Sequence, residues 1–369
     1  MALNPLKKLK GKKYTAIDFG HDSLKVAHCK TSGRDIKLLN WAKRKLPEEA
    51  IENGNIEDVN LVVNELKSLL HDSSIRPGRL VFSPAVGQEF VRKHEVPVMP
   101  EDELQEALRW EVEEYLNLSP DKVASDFLIL QEKEENFEVL LVVIPDSVLN
   151  GYLEVFSRLN QTARAANVQE LALISLLSDQ EKLKNPAMIV NLGKNLTRIV
   201  IAREDNFYLS RSVEIGGRHF TRIFKNADNT WAEAEQSKVQ SMIEISEEKQ
   251  EEEAALDIDL MVSGMEDQTG SETELIGLAE ELASEIDRSL SYYNNRFSSG
   301  EINNIHVTGG GFKLDGLIDY IAGEIEQDIH VIDPLEGMTD RRSQSGSEYK
   351  EFMAVVMGLV AGEVMHHES

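Results

Sequence analysis

Tyr14-Thr15-Ala16-Ile17-Asp18-Phe19-Gly20-His21-Asp22-Ser23-Leu24-Lys25-Val26-Ala27 is an apolar strand that ends in an acid and a glycine and is followed at once by a second apolar strand. The same grammar returns about 170 residues later in Met188-Ile189-Val190-Asn191-Leu192-Gly193-Lys194-Asn195-Leu196-Thr197-Arg198-Ile199-Val200-Ile201. Each stretch predicts a β-hairpin whose tight turn points a row of backbone N–H groups outward, a concave seat for phosphate oxygens. Two such turns in one chain predict two half-molecules facing one nucleotide.

Working outward from the first turn, residues 14–91 read as three strands and then a helix carrying Val59, Val62, Val63, Leu66 and Leu69-Leu70 at helical spacing. The strand Arg79-Leu80-Val81-Phe82-Ser83 follows, so the layout is α/β. A new unit begins near Val91: Arg92 to Pro97 leads to Pro100-Glu101-Asp102-Glu103, acids suited to a helix N-terminus, and Leu104, Leu108, Val112 and Tyr115 share one face. Phe127–Leu130 and Phe137–Ile144 predict a hairpin and Asp146–Leu159 a helix. Residues 93–165 are thus expected to form a small α+β insert, after which a helix around Leu171–Leu177 returns the chain to the first core.

The second turn opens another strand, strand, strand run over Ala187–Ile223 that holds Gly216-Gly217. Leu275, Leu278, Leu282, Ile286, Leu290 and Tyr293 mark a long amphipathic helix. It leads to the strand Ile302–Thr308 and the triple glycine Gly309-Gly310-Gly311, with a helix over Asp315–Gln327 behind it. Missing side chains there would let the backbone approach a flat ligand such as a purine. Residues 244–274 hold about a dozen acids against one lysine and read as a solvated, disordered loop or a binding tail.

Composition narrows the function classes. The chain has 369 residues, 41% of them hydrophobic, which is enough for two or more domains. Its net charge of -26 argues against an unaided hold on nucleic acid or anionic lipid. The one cysteine, Cys29, forms no internal disulfide, and no signal-peptide pattern is read, so a reducing, cytoplasmic compartment is expected. The longest apolar run, Phe352–Val364, falls short of the ~20 residues that span a bilayer and reads as a core helix. Residues 1–13 carry Lys7, Lys8, Lys10, Lys12 and Lys13 beside Leu3, Leu6 and Leu9, which fits either a basic arm on a membrane surface or a frayed terminus. Walker A, G-x-G-x-x-G and G-x-S-x-G patterns are absent, and Leu314 stands where a sixth-place glycine would be. The histidines lack metal spacing, and His366-His367 read as a solvated tail.

Asp18, at a strand end beside a glycine turn, is placed to hold Mg2+ through water, and Lys25 in the returning strand is near enough to reach a phosphate. Asn195 and Thr197 add hydrogen-bonding groups at the second turn.

With its three glycine turns in this order, the chain resembles the actin, Hsp70 and sugar-kinase superfamily, in which two similar ribonuclease-H-like α/β domains close on ATP. An insert replacing the usual small subdomain of the first half resembles the FtsA branch and its SHS2-type insert. Leu104 to Tyr115, Val139-Leu140-Leu141-Val142-Val143-Ile144-Pro145, Glu214-Ile215-Gly216-Gly217 and Glu285 to Tyr293 resemble segments of the PilM family. The resemblance runs from about Tyr14 to the end, excluding the acidic loop.

It implies an actin-like two-domain ATPase fold divided as 1–13 basic arm, 14–92 and 166–185 subdomain 1A, and 93–165 insert subdomain 1C. The second half would be 186–228 and 301–351 subdomain 2A, 229–300 subdomain 2B, and 352–369 a C-terminal helix returning to 1A. The implied protein is a cytoplasmic scaffold of type IV pilus assembly at the inner face of the cytoplasmic membrane. It would bind ATP or ADP with Mg2+ and hold the N-terminal peptide of a PilN-like membrane protein beside other pilus assembly proteins, with no nucleic acid. Contact with the membrane would come through the partner, or weakly through the arm.

Carried over by motif, Asp18, Gly20, Ser23 and Lys25 would form the first phosphate site, and Asn191, Gly193, Asn195 and Thr197 the second. Gly216 and Gly217 would line the cleft, Glu285 and Arg288 would approach ribose or base, and Gly309, Gly310 and Gly311 would face the adenosine. Asn191 departs from the superfamily, which usually has an aspartate there. If that carboxylate acts as a general base, its loss costs roughly 100- to 10,000-fold in rate, so binding with weak or no ATPase turnover is expected. His21 and Asp22 depart from the small hydroxyl residues usual in the first turn, and Asp22 brings negative charge near phosphate. Alternatives are an FtsA-like polymerising ATPase, a true kinase, for which no distinct catalytic acid is found, and a scaffold whose turns no longer bind nucleotide.

Overall fold

A computed structural model describes residues 11–47, 49–85, 90–116, 119–204, 206–226, 228–241, 243, 269–297, 299–337 and 352–365. Most of the basic arm, the acidic stretch 244–268 and His366-His367 lie outside the described residues.

In chain order the first elements are β1 (Lys12–Phe19), β2 (Ser23–Ser32), β3 (Asp35–Lys45), β4 (Ile51–Glu52), β5 (Asn55–Ile56), α1 (Val59–Asp72) and β6 (Arg79–Ser83). Next come β7 (Phe90–Pro97), α2 (Glu101–Leu116), β8 (Val123–Glu132), β9 (Asn136–Pro145), α3 (Asp146–Arg158), β10 (Ala163–Ala166) and α4 (Gln169–Asp179). The chain continues through β11 (Ala187–Leu192), β12 (Thr197–Arg203), β13 (Asn206–Val213), α5 (Gly217–Ile223), α6 (Trp231–Gln240) and α7 (Thr269–Arg296). It closes with β14 (Ile305–Thr308), α8 (Leu317–Ile325), β15 (Ile329–Val331) and α9 (Ala354–Met365). Two compact units result, one of Met1–Lys184, Ala202–Tyr208 and Asp333–Ser369, the other of Asn185–Ile201 and Leu209–Ile332.

The first sheet has the order β10-β6-β1-β2-β3 and the second the order β13-β12-β11-β14-β15. In each, three consecutive strands lie side by side with the first innermost, and two later strands join on its other flank. Those later strands, β6 and β10 in one sheet and β14 and β15 in the other, run parallel to their neighbours. Parallel pairing needs a crossover, so α1 and α7 each lie between a central strand and its parallel neighbour in sequence.

In the first unit the core is aromatic. Phe19 of β1 meets Tyr152 of α3 with ring centroids 5.0 Å apart, and Phe82 of β6 meets Phe156 at the same 5.0 Å. The Tyr152 hydroxyl donates to Gly54 O at 2.7 Å and accepts from Ala85 N–H at 3.0 Å, so this buried phenol is satisfied. Val148, Tyr152, Val155 and Phe156 therefore bind α3 to the main core, and β10 joins the main sheet. Within the expected insert, a sheet of order β7-β9-β8 and α2 cover residues 90–145. That insert has a separate core in which Leu104, Leu108 and Val112 of α2 pack on Val96, Phe137, Val139 and Val143.

The apolar run near the end forms α9, buried on almost every side, as a helix apolar all round should be. It packs on α4 and on β1, β2 and β6. Burial beneath it pushes the Cys29 thiol up to about 12, so this cysteine is a core side chain and not a nucleophile. Contact between α9 and α4 is close because Gly358 has no side chain: a Cβ there would lie 1.9 Å from Ala172 O.

Gly358→Ala should therefore destabilise the fold by about 1–3 kcal/mol through forced separation of the two helices. Gly277→Ala on α7, where a Cβ would meet nothing within 4 Å, should instead stabilise by up to about 1 kcal/mol. Denaturant melts of both variants test the contrast, and equal effects would refute the packing argument.

Candidate functional site

The hairpin of β1 and β2 sets Asp18 opposite Lys25 in register. Lys25 Nζ lies 2.7 Å from Asp18 Oδ2, and Gln169 Nε2 donates to Asp18 Oδ1 at 3.1 Å. Asp18 is 1% exposed, so both its oxygens are engaged inside the protein. Gly20 does not turn its N–H outward as expected. That group closes the hairpin onto Ser23 O at 3.0 Å, because a two-stranded turn this tight needs the bond for itself. What the bare Cα provides is room: a Cβ at Gly20 would stand 2.9 Å from Lys25 Nζ. Ser23 is buried at the start of β2. Ser83, the register partner of Asp18 across the parallel pair, has a buried hydroxyl with no hydrogen-bond partner.

In the second unit the glycine corners converge. Gly193 N–H closes its turn on Leu196 O at 3.0 Å, again inward. Gly217 N–H donates to Gly193 O at 2.8 Å and Arg218 N–H to Lys194 O at 2.8 Å, so the start of α5 is stitched to the turn after β11. Gly216 donates its N–H to His219 Nδ1 at 3.0 Å. A Cβ on Gly216 would fall 2.4 Å from Lys194 O, and one on Gly217 3.1 Å from Gly311 Cα. Gly309 has φ +109, and a Cβ there would lie 2.3 Å from Leu192 O and 2.8 Å from Asn191 Oδ1. Gly311 is closed off by the Leu192 side chain. Gly310 alone among the three is uncrowded: it is exposed, and a Cβ would meet nothing within 4 Å.

The remaining predicted residues divide. Asn191, next to last in β11, is in register with Thr308, and Asn195 is half-buried in the turn. Thr197 is fully buried and donates its hydroxyl to Ile215 O at 2.6 Å, a structural bond within the second unit. Glu285 bonds both Arg211 of β13 and Arg288 one turn along α7, so its two oxygens are engaged by guanidinium groups.

Sequence reading missed a second cluster beside Gly217. Lys238 of α6 is 1% exposed, with Nζ 2.8 Å from Glu235 and 3.4 Å from Gly217 O. The Thr221 hydroxyl lies 2.8 Å from the same carbonyl and also bonds Glu235. The available signal was a lysine three residues after a glutamate and on the apolar side of its helix, where a charge is kept only with a partner. Gln169 had a fainter one, a polar residue opening an otherwise apolar helix 151 positions from Asp18.

Other chemistry finds little footing among the described residues. No group of three or more His, Cys, Asp or Glu side chains is placed to hold a metal, and no helix is long and apolar enough to cross a membrane. His28 is held below its ordinary pKa by burial and by neighbouring Lys13, and its Nδ1 pairs with the Thr15 hydroxyl at 2.9 Å. It is a neutral core histidine.

Comparison with known families matches residues 16–252 to the model described as type IV pilus assembly protein PilM. Among solved structures, the chain is similar to the PilM-PilN type IV pilus biogenesis complex, at 20% identity and TM-score 0.78, covering 95% of this chain and 98% of that one. It is also similar to the ethanolamine utilization protein EutJ from Carboxydothermus hydrogenoformans, at 10% identity and TM-score 0.55, covering 97% and 92%. MreB 5 of Spiroplasma citri bound to AMPPNP matches at 11% identity and TM-score 0.51, covering 97% of each chain. The fold is therefore actin-like.

The Asp18–Lys25 pair generates a prediction. Lys25→Met leaves a buried carboxylate with only an amide partner and should cost about 2–4 kcal/mol. Asp18→Asn combined with Lys25→Met should recover part of that loss. A double-mutant cycle by denaturant melting measures the coupling, and a value near zero would place the pair with surface ion pairs.

Proposed function

Because this chain belongs to the family of the type IV pilus assembly protein PilM, we propose that it is an ATP-binding scaffold of pilus assembly that holds the N-terminal cytoplasmic peptide of a PilN-like membrane protein. The observation that carries the nucleotide part is the open backbone at Gly310, set by glycine packing on Asn191, Leu192 and Gly217. A flat base or ribose rests against such a surface without displacing a side chain. Taken by itself, the first turn offers a phosphate oxygen the ammonium of Lys25, which is partly exposed and paired with Asp18. Lys238, Glu235 and Thr221 support the Gly217 carbonyl from behind and hold polar groups at the same corner.

Mg2+ would arrive with the nucleotide. Asp18 is a lone carboxylate already engaged by Lys25 and Gln169, and it fits an ion held mainly by phosphate oxygens and water rather than by a protein cage. The ion would screen phosphate charge. Asn191 offers hydrogen bonds but no negative charge, so it cannot take a proton from water, and turnover should be weak or absent. Nucleotide then acts by raising the population of the state that a partner grips, and its effect is limited to its differential affinity for the two states. Membrane association follows from the partner, at the cytoplasmic face.

Calorimetric titration of ATP with Mg2+ should give saturable binding. Gly310→Val should weaken it at least about tenfold with unchanged melting, because the new side chain enters only the space reserved for ligand. Binding that is absent in the native chain, or unaltered in that variant, would defeat the reading.

A peptide copied from the partner's N-terminus, present at about 100 times its Kd, should stabilise the folded chain by about 2.7 kcal/mol. An unmoved melting curve at saturating peptide would remove the partner assignment.

A further inference from the structure

Helix α2 has two faces of opposite character. Leu104, Leu108 and Val112 are buried in the insert core, while the outer face and the following turn line an open groove of about 620 Å³. Its lining includes Asp102, Glu106, Arg109, Trp110, Glu113 and Asp121. Trp110 is 67% exposed, the highest exposure among the chain's exposed large hydrophobic side chains in the described residues. An indole left in water contributes little to the fold, whereas tryptophan is over-represented among the residues that carry binding energy.

Charge specifies the occupant. The lining holds four carboxylates against one guanidinium, and Arg109 is already bound to Asp121 at 2.7 Å. Phosphate of a lipid headgroup or nucleic acid would be repelled here. A cation would be drawn in, and an indole flanked by carboxylates suits a guanidinium lying on the ring. The chain makes that contact internally, with the Arg218 guanidinium 4.6 Å above the Trp231 ring.

We propose that the outer face of α2 docks a Lys/Arg-rich stretch of a membrane partner, with one arginine side chain on Trp110 and its neighbours paired with Glu106 and Glu113. Cytoplasmic flanks of membrane spans carry such stretches by the positive-inside rule, so the source of the segment rests on the function proposed above. The acidic face and its indole do not.

The test uses the full chain with its three tryptophans, Trp41, Trp110 and Trp231, labelled at the indole nitrogen. The probe is a short synthetic peptide of alternating arginine and leucine. Its addition should move the Trp110 indole resonance and leave the other two in place. Glu106→Lys with Glu113→Lys should weaken binding at least about tenfold, and Trp110→Ala at least about fivefold. A charge-matched control, Glu134→Lys with Glu135→Lys, should change it less than about twofold. The proposal is overturned if the control weakens binding as much as the α2 pair, if Trp110→Ala binds like the native chain, or if anionic vesicles move the Trp110 signal more than the peptide does. The ATP titration separates this outcome from the earlier one: a silent Trp110 with intact ATP binding defeats only the α2 site, and a responsive Trp110 without ATP binding defeats only the nucleotide reading.

Discussion

Main chain resting on main chain, with no Cβ between, is the constraint on which the second unit depends. Gly216 sits on Lys194 O and Gly309 on Leu192 O, both closer than a side-chain carbon permits, and Gly217 lies on Gly311 Cα with little room to spare. The ends of β11 and β14 and the start of α5 are thereby brought to one corner. Once these contacts form, the hydrogen bonds from Gly217 and Arg218 follow, because donor and acceptor are already in range. Asn191 and Gly310 owe their places to backbone packing, which is why a single amide or an open glycine can be set there without an ion pair to anchor it.

The two β-hairpin corners share a pattern and differ in chemistry. At the first, a buried carboxylate is neutralised within the hairpin by an ammonium seven residues later and steadied by Gln169. At the second, the equivalent position is the neutral Asn191, and the nearby pair joins the buried Lys238 to the partly exposed Glu235 on a different element. Burying ions costs desolvation that their attraction only partly returns, so neither pair is explained by stability alone. Lys25 is the more accessible of the two cations, whereas Lys238, 1% exposed, serves as a fixed support.

Local pattern was enough to read much of this from the sequence. The Asp18 hairpin was legible from strand-turn-strand grammar, α7 from the spacing of Leu275, Leu282, Ile286 and Tyr293, and α9 from an apolar run without a charged face. What failed depended on contacts far apart in the chain. Amphipathic α3 shows which face it buries but not in which core, and Tyr152 settles that only by meeting Phe19. Strand β10, Ala163–Ala166, has no alternation to detect and exists because β6 offers a parallel edge. The three consecutive glycines look alike in sequence, yet two are closed by neighbours and one is open. The Gly20 and Gly193 donors were misjudged for a related reason: a tight turn uses its own glycine donor before any ligand can.

Net charge links the two kinds of ligand considered above. At -26 the chain repels ATP at long range and draws in basic segments. Salt confines both effects to roughly 8 Å at physiological ionic strength, so approach is set by nearby groups rather than by the total. Cationic residues do stand at the glycine corners: Lys25 at one, and Lys194 and Arg218, bonded to each other through their backbone, at the other. Helix α2 does the reverse, with acids on both sides of an exposed indole and its one arginine engaged by Asp121. Short-range composition, not overall charge, therefore decides what each surface of an acidic protein attracts.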